Sequence, residues 1–178
     1  MTRASPARRT SSSSPSTVAE DRLQVLLIGI GNRYGRDDGA GLEVVGRLRD
    51  RAAGAGLGVR ELEGEPLALI DAFDGARAAV LVDAVRSGAP PGTSHRADVS
   101  LTPLPAALRR AASTHAVGVA EAIELARTLG RLPAAVVVYG LEGQRFDAGL
   151  GLTGAVAAAV DGIAEQVLAE ACALADGF

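Results

Sequence analysis

The amino-acid sequence predicts a single α/β domain, a three-layer α/β/α sandwich whose twisted sheet is mostly parallel. Short apolar runs rich in β-branched residues alternate with segments of helical periodicity, which is typical of parallel strands joined by crossover helices. Hydrophobic residues make up 48% of the 178 residues but aromatic residues only 3%, so Ala, Val, Leu and Ile must fill the core. A chain of this length can bury one substantial core.

The predicted strands are short apolar runs bounded by polar or glycine-containing segments. Four of them are Leu23–Ile30, Gly58–Leu62, Ala78–Val85 and Ala134–Tyr139. A fifth segment, Thr93–Val99, is predicted to add a strand at an edge of the sheet. Because parallel strands end at the same edge, polar residues at their carboxyl ends are expected to come together there.

The segments between and after these strands are predicted to form helices, because their apolar residues recur at spacings of three and four. Such faces are formed by Leu42, Val45 and Leu48; by Val119, Ala122, Ile123 and Ala126; and by Val156, Val160, Ile163 and Val167. A shorter helix is predicted over Leu67–Ala72, since Pro66 suits the first turn of a helix. These helices would cover both faces of the sheet.

The first twenty residues differ from the rest of the chain. Residues 1–20 are rich in Ser, Thr, Arg and Pro and have no apolar periodicity, which predicts a disordered tail before a domain at 21–178. No apolar run reaches the roughly 18 to 20 residues of a membrane-spanning helix, so we expect a soluble protein. The single cysteine, Cys172, excludes an internal disulfide and favours a reducing, cytoplasmic location. The net charge of −3 gives no reason to expect nucleic acid or an anionic membrane as a partner.

Acidic residues lie at the ends of two predicted strands. Asp37 and Asp38 follow the glycine-containing turn after the first strand, and Asp83 follows the apolar run Ala78–Val82. One aspartate there could simply cap a helix, but two adjacent carboxylates exceed what a cap requires and repel each other unless a cation compensates. Asp83 could also be a solvated residue at a strand end. A functional site and a structural role are therefore both open for these residues.

The third candidate is His115, which precedes a helix predicted to begin near Val117 and would lie at the same edge of the sheet. A lone histidine is often structural, and His95 is predicted to be a surface residue. Two carboxylates and one imidazole suit a divalent metal such as nickel or zinc, which polarises a carbonyl and lowers the pKa of an attacking water. The chain contains no His-Glu-x-x-His and no Gly-x-Ser-x-Gly motif, which excludes the usual zinc-protease and serine-hydrolase signatures.

These motifs together resemble those of a known enzyme family. The turn Gly29-Ile-Gly-Asn32 and the acidic pair of Asp37-Asp-Gly-Ala-Gly41 are similar to the opening of the maturation endopeptidases of nickel–iron hydrogenases. Val82-Asp83-Ala84 resembles the strand that carries the family's second metal ligand, and Ser113-Thr-His115 resembles the turn that carries its histidine. Val138-Tyr-Gly-Leu-Glu-Gly143 and the long final helix extend the resemblance over nearly the whole predicted domain.

The resemblance implies an endopeptidase that removes a short C-terminal extension from the hydrogenase large-subunit precursor after nickel insertion. The implied cofactor is nickel supplied by that precursor, which is also the implied protein partner. Asp38, Asp83 and His115 would contact the nickel, with Asp83 either as the third ligand or as the base that orients water. Asp37 would cap the helix or support Asp38.

Two other functions are open on the sequence alone. Gly29, Gly31 and Gly35 after a strand also resemble the fingerprint of a dinucleotide-binding oxidoreductase domain, with Glu61 or Glu63 as the ribose-binding acid. The acidic pair Asp37 and Asp38 argues against a dinucleotide-binding domain, because it would place negative charge near the phosphates. A non-catalytic nickel or hydrogenase assembly factor would retain the same site without turnover.

Overall fold

A computed structural model of the protein describes residues 25–110 and 116–178. Its strands are β1 (Val25–Ile30), β2 (Gly58–Leu62), β3 (Ala78–Val85), β4 (Ser94–Asp98) and β5 (Ala135–Glu142). A 3₁₀ turn at Arg36–Gly39 precedes helix α1 (Ala40–Gly54), and the other helices are α2 (Pro66–Ala72), α3 (Ala106–Arg110), α4 (Ala116–Thr128) and α5 (Gly154–Asp176). The predicted disordered tail, residues 1–20, lies outside the described residues.

The five strands form one sheet in the order β2-β1-β3-β5-β4. The first four strands in this order run parallel, and β4 pairs antiparallel with β5 at one edge. The prediction of a mostly parallel sheet with an added edge strand is therefore confirmed. The predicted end of the fourth apolar run at Tyr139 is wrong, because Gly140 pairs with Asp83 on one side and His95 on the other and β5 continues to Glu142.

Two apolar clusters cover the two faces of the sheet. On one face, α1 and α5 pack against the central strands through residues such as Val45, Leu48 and Val160. On the other face, α2 and α4 supply Leu69, Ile123 and their neighbours. Every residue of β1 and β3 is buried, as expected for strands covered by helices on both sides. The three-layer α/β/α architecture is confirmed.

The short helix α3 has no counterpart among the predicted helices, since a single turn offers no periodicity to detect. Of the helices in the described part of the chain, none combines the length and the apolar character needed to cross a membrane.

Candidate functional site

The loop between β1 and α1 is held very close to the carboxyl ends of the central strands. Gly31 has φ +148°, and a Cβ at this position would lie 1.8 Å from the carbonyl oxygen of Asp38. A Cβ on Gly41 would lie 2.3 Å from the carbonyl oxygen of Val82 and 2.4 Å from that of Ile30. Only glycine permits this approach, which brings the first turn of α1, and with it Asp38, onto the end of β3.

Asp83 lies on β3 where that strand reaches the β1–α1 loop, and its side chain is buried. Its Oδ1 atom accepts a hydrogen bond from the backbone N–H of Ala84 at 2.8 Å, whereas its buried Oδ2 atom has no hydrogen-bond partner among the described residues. Burial is the main cause that raises the pKa of Asp83 to about 8; the Ala84 hydrogen bond opposes this rise and the negative charge of Asp38 adds to it. A buried carboxyl group of this kind is stabilised in its ionised form by a nearby cation.

Asp38 is the second carboxylate of this site and is only 6% exposed. It lies in the 3₁₀ turn, close enough for its negative charge to contribute, after burial, to the raised pKa of Asp83. Two mutually repelling, buried carboxylates at the edge of a parallel sheet are costly to fold and are typical of functional sites. The structure therefore brings together two of the three predicted site residues.

Asp37 has a different role from its neighbour. Its fully buried carboxylate accepts hydrogen bonds from the N–H groups of Gln144 and Arg145, both at 2.8 Å, and from the N–H and hydroxyl of Thr153 at 2.6 and 2.9 Å. Burial alone would raise the pKa of Asp37, but these hydrogen bonds hold it below its ordinary value. The expectation that Asp37 caps its own helix is wrong, since neither the 3₁₀ turn nor α1 has a side-chain cap. Asp37 instead ties the β1–α1 loop to the segment between β5 and α5.

The predicted histidine ligand, His115, lies outside the described residues, as do Ser113 and Thr114. Helix α4 begins at Ala116, which agrees with the predicted helix start near Val117. Within residues 25–110 and 116–178, no group of three or more His, Cys, Asp or Glu side chains is arranged to hold a metal. The described part of the site thus consists of the carboxylates of Asp38 and Asp83.

A fourth buried acid of the described residues, Glu142 at the end of β5, was not identified from the sequence. Its carboxylate accepts hydrogen bonds from the backbone N–H groups of Ser87 and Gly88 and from the Ser87 hydroxyl, and it lies 3.3 Å from Nε2 of His95. Burial opposes ionisation, but these contacts hold the pKa of Glu142 below its ordinary value. His95, predicted to be a surface residue, is half-buried, with a side chain that is 27% exposed and in contact with Glu142. An acid closing a buried strand, as at Asp83, was the signal that could have revealed Glu142.

The structure also bears on the dinucleotide-binding alternative. The helix start that would receive a pyrophosphate carries the two buried carboxylates of Asp37 and Asp38, which would repel it. Glu61, the candidate ribose-binding acid, is paired with Arg33 and Arg49. Neither observation favours a dinucleotide.

Comparison with known proteins agrees with the motifs. The family model described as HycI, hydrogenase maturation protease, matches residues 59–170, a range that includes Asp83 but begins after Asp38. The hydrogenase expression/formation protein HupD of Thiocapsa roseopersicina is 31% identical over 126 residues, which cover 70% of this chain. This chain spans only about half of that relative, 56% of its length.

Solved structures extend the likeness to the residues before position 59. The hydrogenase maturating endopeptidase HybD of E. coli is 25% identical with a TM-score of 0.67, and the match covers 83% of this chain and 91% of that one. The [NiFe] hydrogenase maturation protease HybD of Thermococcus kodakarensis is 26% identical with a TM-score of 0.68, covering 83% and 99% of the two chains.

Proposed function

Because this chain belongs to the hydrogenase maturation protease family, we propose that it is an endopeptidase that removes a C-terminal extension from the nickel-loaded hydrogenase large-subunit precursor. The observation that carries the proposal is the buried Asp83 carboxyl group, whose Oδ2 atom has no hydrogen-bond partner in the described part of the chain, beside the charge of Asp38. Such a pair is unfavourable unless a cation or a reacting group meets it.

The donor set fits nickel that is presented by the substrate. Asp38 and Asp83 offer carboxylate oxygens, and His115, for which the sequence resemblance is the support, would add an imidazole nitrogen. Carboxylate and imidazole ligands suit borderline divalent ions, and a set of three leaves positions open for groups of the substrate. An ion bound there polarises the scissile carbonyl and lowers the pKa of a water molecule.

The residues of this chain would have different roles in the reaction. Asp38 and His115 would contact the metal, and Asp83 would act as the third ligand or as the base that orients water, because one of its oxygens remains available. Peptide hydrolysis requires the water oxygen to attack the carbonyl carbon, the C–N bond to break and a proton to reach the leaving amine. Asp37 would hold the β1–α1 loop in place through its hydrogen bonds to Gln144, Arg145 and Thr153.

The experiment that tests the proposal is intact-mass analysis of the cognate large-subunit precursor after incubation with this protein. Wild-type protein should release a C-terminal peptide from the nickel-loaded precursor, whereas the Asp38→Asn and Asp83→Asn variants should lose at least about 100-fold in rate. Asp71→Asn is the matched control, since Asp71 is an exposed residue of α2 whose only described partner is Arg131, and it should cleave normally.

Two outcomes would contradict the proposal. Binding of the nickel-loaded precursor without any cleavage by wild-type protein would favour the non-catalytic assembly factor. Cleavage that is unchanged by both Asp38→Asn and Asp83→Asn would show that the carboxylate pair does not carry the reaction. A parallel incubation with precursor that lacks nickel separates metal-dependent from metal-independent cleavage.

A further inference from the structure

A groove lies on the surface between α1 and α5. Its lining includes Gly39, the residue after Asp38, and it has a volume of about 390 Å³. Its walls come from the β1–α1 loop, the first turns of α1, the loop before α5 and the start of α5. We call this feature the arginine groove and define it by Arg33, Arg36, Gly39, Glu43, Arg47, Leu150, Gly151, Leu152, Ala157 and Val160. Its volume lies in the range of pockets that bind small ligands, about 300 to 1,000 Å³.

The lining of the arginine groove combines positive charge with an apolar floor. Three guanidinium groups, those of Arg33, Arg36 and Arg47, face a single lining carboxylate, Glu43. Arginine presents a planar fork of N–H donors that matches a carboxylate in a bidentate manner. The leucines at 150 and 152 provide apolar surface, and Leu150 is 72% exposed.

Each of these guanidinium groups pairs with a carboxylate at present. Arg33 pairs with Glu61, which is only 24% exposed, and Arg47 pairs with the lining residue Glu43 at 3.2 Å. Arg36 pairs with Asp147 at 3.0 Å, and Arg47 pairs with Asp161 at 2.6 Å on a side chain that is 78% exposed. Ion pairs between exposed groups contribute little and exchange readily. Arg36 and Arg47 can therefore turn to a carboxylate that enters the groove.

The backbone holds Arg36 at the mouth of the groove in an uncommon conformation. Among the described non-glycine residues only Arg36 has a positive φ, +53°. Its N–H donates to the carbonyl oxygen of Gly149 at 3.0 Å, and the Gly149 N–H donates to that of Tyr34 at 2.8 Å. A Cβ on Gly149 would lie 2.8 Å from Cζ of Arg36, so the absence of a side chain there leaves room for the guanidinium. The same bonds join the two loops that carry Tyr34 and Leu150, both of which are 72% exposed.

We propose that the arginine groove binds the C-terminal extension of the precursor, a peptide segment that carries a carboxylate and an apolar side chain. This inference rests on the proposed endopeptidase function and adds the chemical class of the segment that is recognised. Every such extension ends in a free α-carboxylate, whatever its sequence, and that charge can replace the exposed carboxylates that now pair with Arg36 and Arg47. Gly39, which lines the groove, directly follows Asp38 in the sequence. On this ground we place the scissile bond at Asp38 and the segment that follows the bond in the groove.

A binding experiment tests the groove without depending on cleavage. The probe is a synthetic peptide with the sequence of the cognate extension, labelled at its N-terminus and titrated with the full chain by fluorescence anisotropy. The free-acid peptide should bind about tenfold more tightly than the same peptide with an amidated C-terminus and its acidic side chains changed to amides, the effect of one charge-assisted contact. This comparison alters only the peptide, so it does not depend on the folding of a variant.

Protein variants then locate the site. Arg36→Gln and Arg47→Gln should each weaken binding of the free-acid peptide by about five- to tenfold and remove its preference over the amidated peptide. Arg51→Gln is the matched control, because Arg51 lies one turn beyond Arg47 on α1 and pairs with Glu165 of α5 outside the groove. It should bind both peptides as the wild type does. Thermal unfolding of each variant confirms that it remains folded.

Cleavage kinetics separate the failure of this inference from the failure of the proposed function. With nickel-loaded precursor, Arg36→Gln and Arg47→Gln should raise KM by about five- to tenfold and leave kcat within about twofold. Two results would overturn the groove proposal while leaving the endopeptidase function intact. One is that the wild-type protein binds the free-acid and the amidated peptide equally tightly. The other is that both variants keep the peptide affinity and the KM of the wild type. A wild-type protein that discriminates the peptides through these arginines but cleaves no precursor would overturn the endopeptidase and retain the groove as a peptide site.

Discussion

The substitution Asp37→Asn tests whether the carboxylate beside the candidate site holds two loops together. Asp37 is fully buried and accepts four hydrogen bonds, three to Oδ2 and one to Oδ1. An Asn side chain with its carbonyl oxygen in the Oδ2 position keeps three of these bonds but turns its NH₂ group toward the N–H of Thr153. The substitution thus replaces the hydrogen bond from the Thr153 N–H to Oδ1 by two N–H donors that face each other, and it leaves the side-chain volume unchanged.

The magnitude follows from these contacts. An N–H group left without an acceptor costs about 1 to 3 kcal/mol, and each of the three remaining bonds weakens by roughly 0.5 kcal/mol when its acceptor loses its charge. We therefore expect Asp37→Asn to lower the free energy of unfolding by about 3 kcal/mol. For a domain of this size that corresponds to a fall in Tm of roughly 6 to 12 °C.

Urea denaturation followed by circular dichroism measures this free energy directly. Asp98→Asn is the control, since Asp98 is exposed and its Oδ1 atom accepts both hydrogen bonds from Ser100. An Asn carbonyl oxygen can accept both of these bonds, so the substitution should lower the free energy of unfolding by less than about 1 kcal/mol. If Asp37→Asn costs no more than Asp98→Asn, Asp37 does not hold the two loops and the reasoning is refuted.

Two further predictions concern the packing and the buried acid Glu142. Gly41→Ala should lower the free energy of unfolding by at least about 2 kcal/mol, because its Cβ would lie 2.3 Å from the Val82 carbonyl oxygen, whereas Gly46→Ala in the same helix meets no atom within 4 Å and should raise it by roughly 0.5 to 1 kcal/mol. Denaturant titration of both variants measures this, and equal effects would contradict it. Glu142→Gln should destabilise the protein by about 1 to 3 kcal/mol at neutral pH. Because the folded-state pKa of Glu142 is lowered from 4.5, this stabilisation is complete above pH 4.5 and is lost as the pH falls through the folded-state value. The difference between wild type and variant should shrink over that acidic range. A difference that is independent of pH there would contradict the prediction.

The contacts of some site residues could be predicted from the sequence, and those of others could not. Asp38 and Asp83 could be predicted as neighbours, because parallel strands end at one edge of the sheet and both residues lie at strand ends. The distinct role of Asp37 could not, since its donors at Gln144, Arg145 and Thr153 lie more than 100 residues away in sequence. The same holds for the contact between Glu142 and His95, which depends on the antiparallel pairing of β4 with β5.

The sequence by itself determined the class of the fold, because periodicity and composition are local properties that each segment carries alone. The apolar runs of β1 and β3 and the spaced faces of α1, α4 and α5 required no partner to be recognised. Tertiary structure alone decided which groups share an environment. Only when α1 packs onto β3 does Asp83 lose its water and acquire the charge of Asp38 as a neighbour, and only when α5 lies beside α1 does the arginine groove exist. Burial and charge proximity are properties of the packed molecule, because both depend on chain segments that are distant in sequence.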